Sequence, residues 1–196
     1  MSPAKGGSRN HLVKSFRKPS FKVPNVSINP RTFNATKEYQ AIFQYITRKF
    51  KKVTAQDAEK IARYLVEYGK KHNIDPKFAA AVMARESGYN RLAISKTGAK
   101  GLGQIKDFNF KSLDIKDPYD IKQNVNGTTK YLSKMVGRWK TKSTDPASMA
   151  LASYFIGPNA LARQNGKVNA HTTTYVNDIM GYYDDIKSVR RRVSPN

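Results

Sequence analysis

One carboxylate in this chain is placed where an acid does not belong by default. In the stretch AAAVMARESGYN, residues 79–90, an alanine-rich apolar run ends on Glu86, followed at once by Ser87 and Gly88. Asp75 and Pro76 mark a helix start and Gly88 a helix stop, so Glu86 falls in the last helical turn. There the helix dipole disfavours negative charge, and burial against the alanine face disfavours it further. Both effects raise a carboxyl pKa, as a general acid working near neutral pH requires. The plain alternative is an ion pair with Arg85, Arg91 or Lys96. A glycine-rich segment, GAKGLGQI, follows and ends near an amide, Gln104. Glycine walls let backbone groups approach sugar rings closely, and an amide bonds an acid or an N-acetyl group without adding charge. Read singly, Gly101 and Gly103 are plain turn residues.

Helices must hold these residues in place. Tyr39, Ile42, Phe43, Ile46 and Phe50 recur at helical spacing. Thr54 opens a second helix, with Asp57 as first-turn acid and Ala58, Ile61, Leu65 and Tyr68 as its inner stripe. Gly88, Gly98, Gly101 and Gly103 then defeat a helix and suggest tight turns or a small hairpin. Asp117-Pro118 starts another helix, whose stripe holds Ile121, Tyr131, Leu132, Met135, Val136 and Trp139. Asp145-Pro146 starts a strongly apolar one, Pro158 a short one, and TTTYVNDIMGYYDDIKSV makes the last. The expected fold class is all-α with minimal β: a compact helical domain with one glycine-rich loop or small hairpin beside a cleft. The expected organisation is an extended basic arm over 1–36, a leading helix over 37–53, the domain over 54–190 and a basic tail over 191–196.

The 36 Lys and Arg against 14 Asp and Glu give a formal charge of +22, which implies polyanionic company such as nucleic acid, anionic wall polymer or an anionic membrane surface. There is no cysteine, so disulfides, cysteine-based zinc sites and cysteine nucleophiles are excluded. No run of roughly 18 apolar residues is present to span a bilayer. The opening MSPAKGGSRNHLVKSF has positive charge without an apolar core behind it, unlike a secretory signal. The arm mixes seven basic residues with Phe16, Phe21, Val23, Val26, Ile28 and Phe33, a pattern that fits docking along a protein partner.

Five blocks in order resemble the soluble lytic transglycosylase catalytic domain, the goose-lysozyme-like branch of the lysozyme superfamily. They are Glu86-Ser87, the block from Ser95 to Gln104, DPYDIKQNVNGTTKYL, ALASYFIGP and TTYVNDIMGYY. The resemblance implies a lysozyme-like fold and a peptidoglycan-cleaving enzyme without metal or cofactor. It makes Glu86 the sole catalytic carboxyl, acting between N-acetylmuramic acid and N-acetylglucosamine and closing a 1,6-anhydro ring. Such an enzyme is an exception to the rule of paired carboxylates. The next acids, Asp107, Asp114 and Asp117, all lie beyond the glycine block. The resemblance further makes Ser87, Gly101, Gln104, Tyr154 and Tyr175 site residues. A tyrosine hydroxyl there is expected to bond the acid and help hold its proton. The chain departs from the family at Phe155, where an Asn is usual, at Ile156, and at Gly103, where a Met is usual.

Two other readings compete: a lysozyme-type hydrolase on the same fold, and a basic structural or DNA-associated virion protein with a degenerate lysozyme-like domain. The expected partners are peptidoglycan glycan strands, virion or secretion-assembly proteins through the arm, and DNA or anionic wall polymer through nonspecific charge. The expected setting is a phage virion acting in the host periplasm or cell wall; its rival is a periplasmic enzyme whose signal has been removed.

Overall fold

The computed structural model describes residues 37–189, so the basic arm and the basic tail lie outside the described residues. Eight helices follow in order: α1 (Lys37–Lys49), α2 (Ala55–His72), α3 (Pro76–Ser87), α4 (Asp107–Leu113), α5 (Ile121–Trp139), α6 (Pro146–Ile156), α7 (Pro158–Arg163) and α8 (Ala170–Ser188). The start signals act as read. The Thr54 hydroxyl accepts from the Asp57 amide at 3.1 Å, and the Asp75 carboxylate from the Lys77 amide at 2.8 Å. Asp145 caps α6 through the Ser148 amide. Each satisfies an amide that a helix start leaves orphaned.

Helix α3 is the axis of the fold. Every side chain from Phe78 to Met83 is fully buried, walled by α1, α2 and α8. Its four alanines let the neighbouring helices approach closely, and Phe78 packs edge-on against Tyr183 of α8. The helix ends at Gly88, whose φ of 57° is the left-handed stop expected there. Behind it, Tyr89 turns back into the core and donates to the Ala80 carbonyl at 2.9 Å, which pins the end of α3.

Two expectations need correction. The leading helix ends at Lys49, and Phe50–Val53 form a turn closed by the Val53 amide on the Phe50 carbonyl. Asp117-Pro118 is a turn rather than a helix start. The Gln123 side chain accepts from the Lys116 and Asp117 amides, and Asp120 is the true cap of α5. The glycine-rich excursion takes the loop form of the two expected, with no strand among the described residues. Two isolated antiparallel bridges, Ile94 with Lys100 and Lys100 with Ile105, hold it as a folded loop. The seven-residue α4 carried no start signal: Lys106 at its cap position offers no side-chain bond. Ile105, Leu113 and Ile115 form a satellite core under this loop, apart from the main one.

Candidate active site

Glu86 leaves the last turn of α3 on the floor of a cleft of about 400 Å³. It is the sole carboxylate among the described residues lining that cleft. No cation pairs with it among the described residues. Arg85 is engaged with Asp178 at 3.0 Å and Arg91 with Asp57 at 3.6 Å. Burial raises the Glu86 carboxyl above its ordinary value, against the opposing pull of a hydrogen bond from Tyr175 and the nearby Arg85 charge.

Tyr175 comes from α8, is buried, and donates its hydroxyl to Glu86 Oε1. A donor to a carboxylate stabilises the ionised form. The expectation that a tyrosine helps hold the proton is therefore reversed: Tyr175 orients the acid and moderates its raised pKa. The Arg85 guanidinium lies over the same ring, 5.5 Å from its centre. The Tyr175 hydroxyl itself is pushed well up, by burial first and then by the Glu86 charge, so it stays a donor.

Tyr154 lines the cleft, but its hydroxyl does not reach the acid. It donates to the Gly103 carbonyl at 2.5 Å and so ties α6 to the glycine loop. Gln104 lines the cleft at a φ of 50°, held in that left-handed conformation by its own side chain. Its Nε2 donates to the carbonyls of Ala93 and Gly101 at 3.1 and 2.9 Å, which leaves the amide oxygen as the group to meet a ligand.

Gly101 and Ser87 do not line this cleft. Gly101 has φ 75°, and a Cβ there would lie 2.2 Å from both Asn124 Nδ2 and the Pro118 carbonyl, so the residue lets the loop dock on α5. The Ser87 hydroxyl donates to the Leu102 carbonyl at 2.8 Å, binding helix to loop. Ser87 itself borders a second cavity behind the α3 terminus.

Several residues were not singled out for the site by sequence reasoning. Asn124 is buried in α5 and acts as the hub under the loop. Its Oδ1 accepts from the Gly103 amide at 2.9 Å, and its Nδ2 donates to the carbonyls of Pro118 and Lys100. Thr128, one turn on, fills the space beside Gly103: a Cβ at 103 would lie 2.0 Å from Thr128 Oγ1. The departure from Met at this position thus has a steric partner. Tyr131 was assigned to a core stripe, but it borders the cleft, edge-on to Tyr154 at 5.2 Å. Phe155 stacks on Tyr175 with ring centres 4.4 Å apart, and at 37% exposure also faces the cleft. Phe108 of α4 lines the same cleft at 82% exposure. Two aromatics, Phe108 and Phe110, in the polar run KDFNFK were the signal for it. Two aromatic faces open to solvent beside a half-buried acid suit the apolar face of a sugar ring.

The model of the family described as Transglycosylase SLT domain matches residues 63–177. Membrane-bound lytic murein transglycosylase F of Desulfosudis oleivorans is 36% identical over 90 residues, covering 44% of this chain and 20% of that protein. Membrane-bound lytic murein transglycosylase F 1 of Alkalilimnicola ehrlichii is 28% identical over 133 residues, covering 63% and 27%. The chain therefore spans about a fifth to a quarter of the length of these curated relatives. Among solved structures, an inactive glutamate-to-glutamine mutant of the lytic transglycosylase Slt from Pseudomonas aeruginosa superposes with a TM-score of 0.54 at 15% identity, covering 81% of this chain and 37% of that one. That likeness shows the fold, a mostly helical lysozyme-like one, as expected. With more than half of its length matched by the family model, the chain belongs to the Transglycosylase SLT domain family.

Proposed function

We propose that this protein is a peptidoglycan lytic transglycosylase with Glu86 as its catalytic acid and base. The observation that carries the reading is a single carboxyl on the cleft floor, raised in pKa by burial and held by the Tyr175 hydroxyl. Protonated Glu86 gives its proton to the glycosidic oxygen between N-acetylmuramic acid and N-acetylglucosamine as the bond to the anomeric carbon breaks. The substrate's acetamido group supports the electron-poor carbon. The muramyl 6-hydroxyl then attacks that carbon and returns its proton to Glu86, closing the 1,6-anhydro ring. The balance consumes no water and needs no second carboxylate, in keeping with the lone acid of the cleft. Gln104 and the faces of Tyr131, Phe155 and Phe108 supply the sugar contacts in this reading.

Zymography on purified peptidoglycan, with mass spectrometry of the products, tests it. Anhydro-muropeptides from the intact protein and none from Glu86→Gln are expected. Reducing muropeptides would instead assign a hydrolase on the same fold. Clearing by Glu86→Gln at the parent rate would remove the acid from the mechanism.

The setting we propose is local wall opening by a phage particle. A charge of +22 suits a protein stored against packaged nucleic acid. Peptides of this protein in purified virions are the expected finding, and a gene lying among periplasmic wall-synthesis genes would count against it. Within that setting, deletion of residues 1–36 should spare wall cleavage and abolish incorporation.

A further inference from the structure

The cavity behind the end of α3 has no part in the chemistry above. At about 780 Å³ it is roughly twice the volume of the Glu86 cleft. Four cations line it, Lys49, Lys51, Lys52 and Arg91, against one acid, Asp57. That acid is taken by Arg91 at 3.6 Å, and Lys49 leans on Asp185 at 3.8 Å from outside. Lys51 and Lys52 form no ion pair among the described residues. Phe50, Val53 and Leu92, the last 56% exposed, form the apolar part of the remaining wall, beside the polar Ser87 and Asn90.

The two cavities adjoin. Glu86 lines one and Ser87 the other, and consecutive Cα atoms stand about 3.8 Å apart. They also share the segment after α3: Asn90 to Leu92 border the basic cavity, and Ser95 and Thr97 the cleft. The three steps from Leu92 to Ser95 span about 10 Å at most. Between them Ile94 is 63% exposed.

A muramic acid seated over Glu86 carries a short peptide on its lactyl group, with small methyl side chains and free carboxylates. That peptide must leave the cleft over one of its rims, and two or three residues of it reach about 7–10 Å. A neighbouring cavity with an apolar part to its wall and two ammonium groups without an ion pair among the described residues, Lys51 also donating to the Thr47 carbonyl at 3.2 Å, matches it in size, polarity and sign. A polyphosphate calls for a continuous line of cations and gains nothing from Leu92 and Phe50. We infer that the Lys51–Lys52–Arg91 cavity is the binding site for the anionic stem peptide of peptidoglycan, next to the glycan cleft. The inference rests on the catalytic reading above for the placement of the sugar.

The test uses the full chain, its Lys51→Glu/Lys52→Glu variant and the milder Lys51→Gln/Lys52→Gln. Each is assayed on stem-bearing peptidoglycan and on glycan strands stripped of peptides by an amidase. The charge-reversed variant should raise KM on the stem-bearing substrate on the order of tenfold at low salt, with kcat held. The neutral pair should raise it less, and the stripped glycan should show no difference. Physiological salt should shrink the effect. Cosedimentation of Glu86→Gln protein with stem-bearing or stripped glycan, with and without the lysine changes, reads the site without turnover. If the intact protein cleaves neither substrate, the catalytic reading fails while this binding comparison still decides the cavity. Equal loss on both substrates, or no loss on either, overturns the inference. So does a loss confined to a double-stranded DNA fragment, which would make the cavity a phosphate site.

Discussion

Replacing Gly103 by alanine tests how the cleft is built. The φ of Gly103 lies outside the left-handed region, so the backbone accepts an L side chain and only space is at issue. A Cβ would stand 2.0 Å from Thr128 Oγ1 and 2.9 Å from its Cγ2, well inside contact distance. Thr128 is fully buried in α5 and has no outward route of escape. Overpacking of this kind costs about 1–3 kcal/mol. For a chain of this size, about 2 kcal/mol lowers Tm by roughly 4–8 °C. Thr128→Ala alone removes a buried methyl group and hydroxyl, at a cost of about 1–2 kcal/mol. It also clears the two atoms that Gly103→Ala strikes. The double variant should therefore be less destabilised than the sum of the singles by at least about 1 kcal/mol, measured by urea titration of all four proteins. Because the Gly103 carbonyl receives the Tyr154 hydroxyl, wall cleavage should fall in Gly103→Ala and partly return in the double variant. Additive energies, or a Gly103→Ala protein as stable as the parent, would refute the steric pairing.

Further predictions concern the acid and its supports. Glu86→Gln should lower the rate of wall cleavage by at least about a hundredfold. The same change should stabilise the fold at neutral pH. Because the folded pKa is raised, the unfolded chain loses its Glu86 proton first as pH rises, and stability declines from the ordinary carboxyl value up to the folded one. The gain should thus vanish in thermal melts below the ordinary carboxyl range. Tyr175→Phe removes the donor that favours the ionised acid, so the alkaline limb of the pH–rate profile should move up. Phe155→Ala uncovers the Tyr175–Glu86 pair to water, weakens the burial that raises the acid, and should move that limb down while raising KM. Limbs moving in the same direction would contradict these assignments. Ser87→Ala should cost about 0.5–1.5 kcal/mol in urea denaturation through the lost bond to Leu102, with KM little changed.

Local chemistry made much of the molecule legible. Thr54, Asp75, Pro76, Gly88 and Asp145 each carry a cap or stop in their own side chain or φ, so those helix ends could be read one residue at a time. Glu86 stood out because a carboxyl closing a largely apolar helix conflicts with its surroundings. What could not be read was contact through space. Whether Asp117 or Asp120 caps α5 is decided by Gln123 folding back on the turn. That Ser87 faces away from the cleft is decided by the Leu102 carbonyl, 15 residues on. The assignment of one tyrosine to the acid and the other to the loop depends on how α6 and α8 pack, which two similar motif positions do not reveal.

The bond between Glu86 and Tyr175 joins residues 89 positions apart, one at the end of α3 and one on α8. During synthesis on the ribosome, α3 emerges long before the helix that steadies its acid. A growing chain therefore carries the glutamate without its brace, and the flank of α3 that α8 covers remains bare. The acid is braced only once α8 has emerged and packed, so translation sets the order in which the two halves of the pair meet.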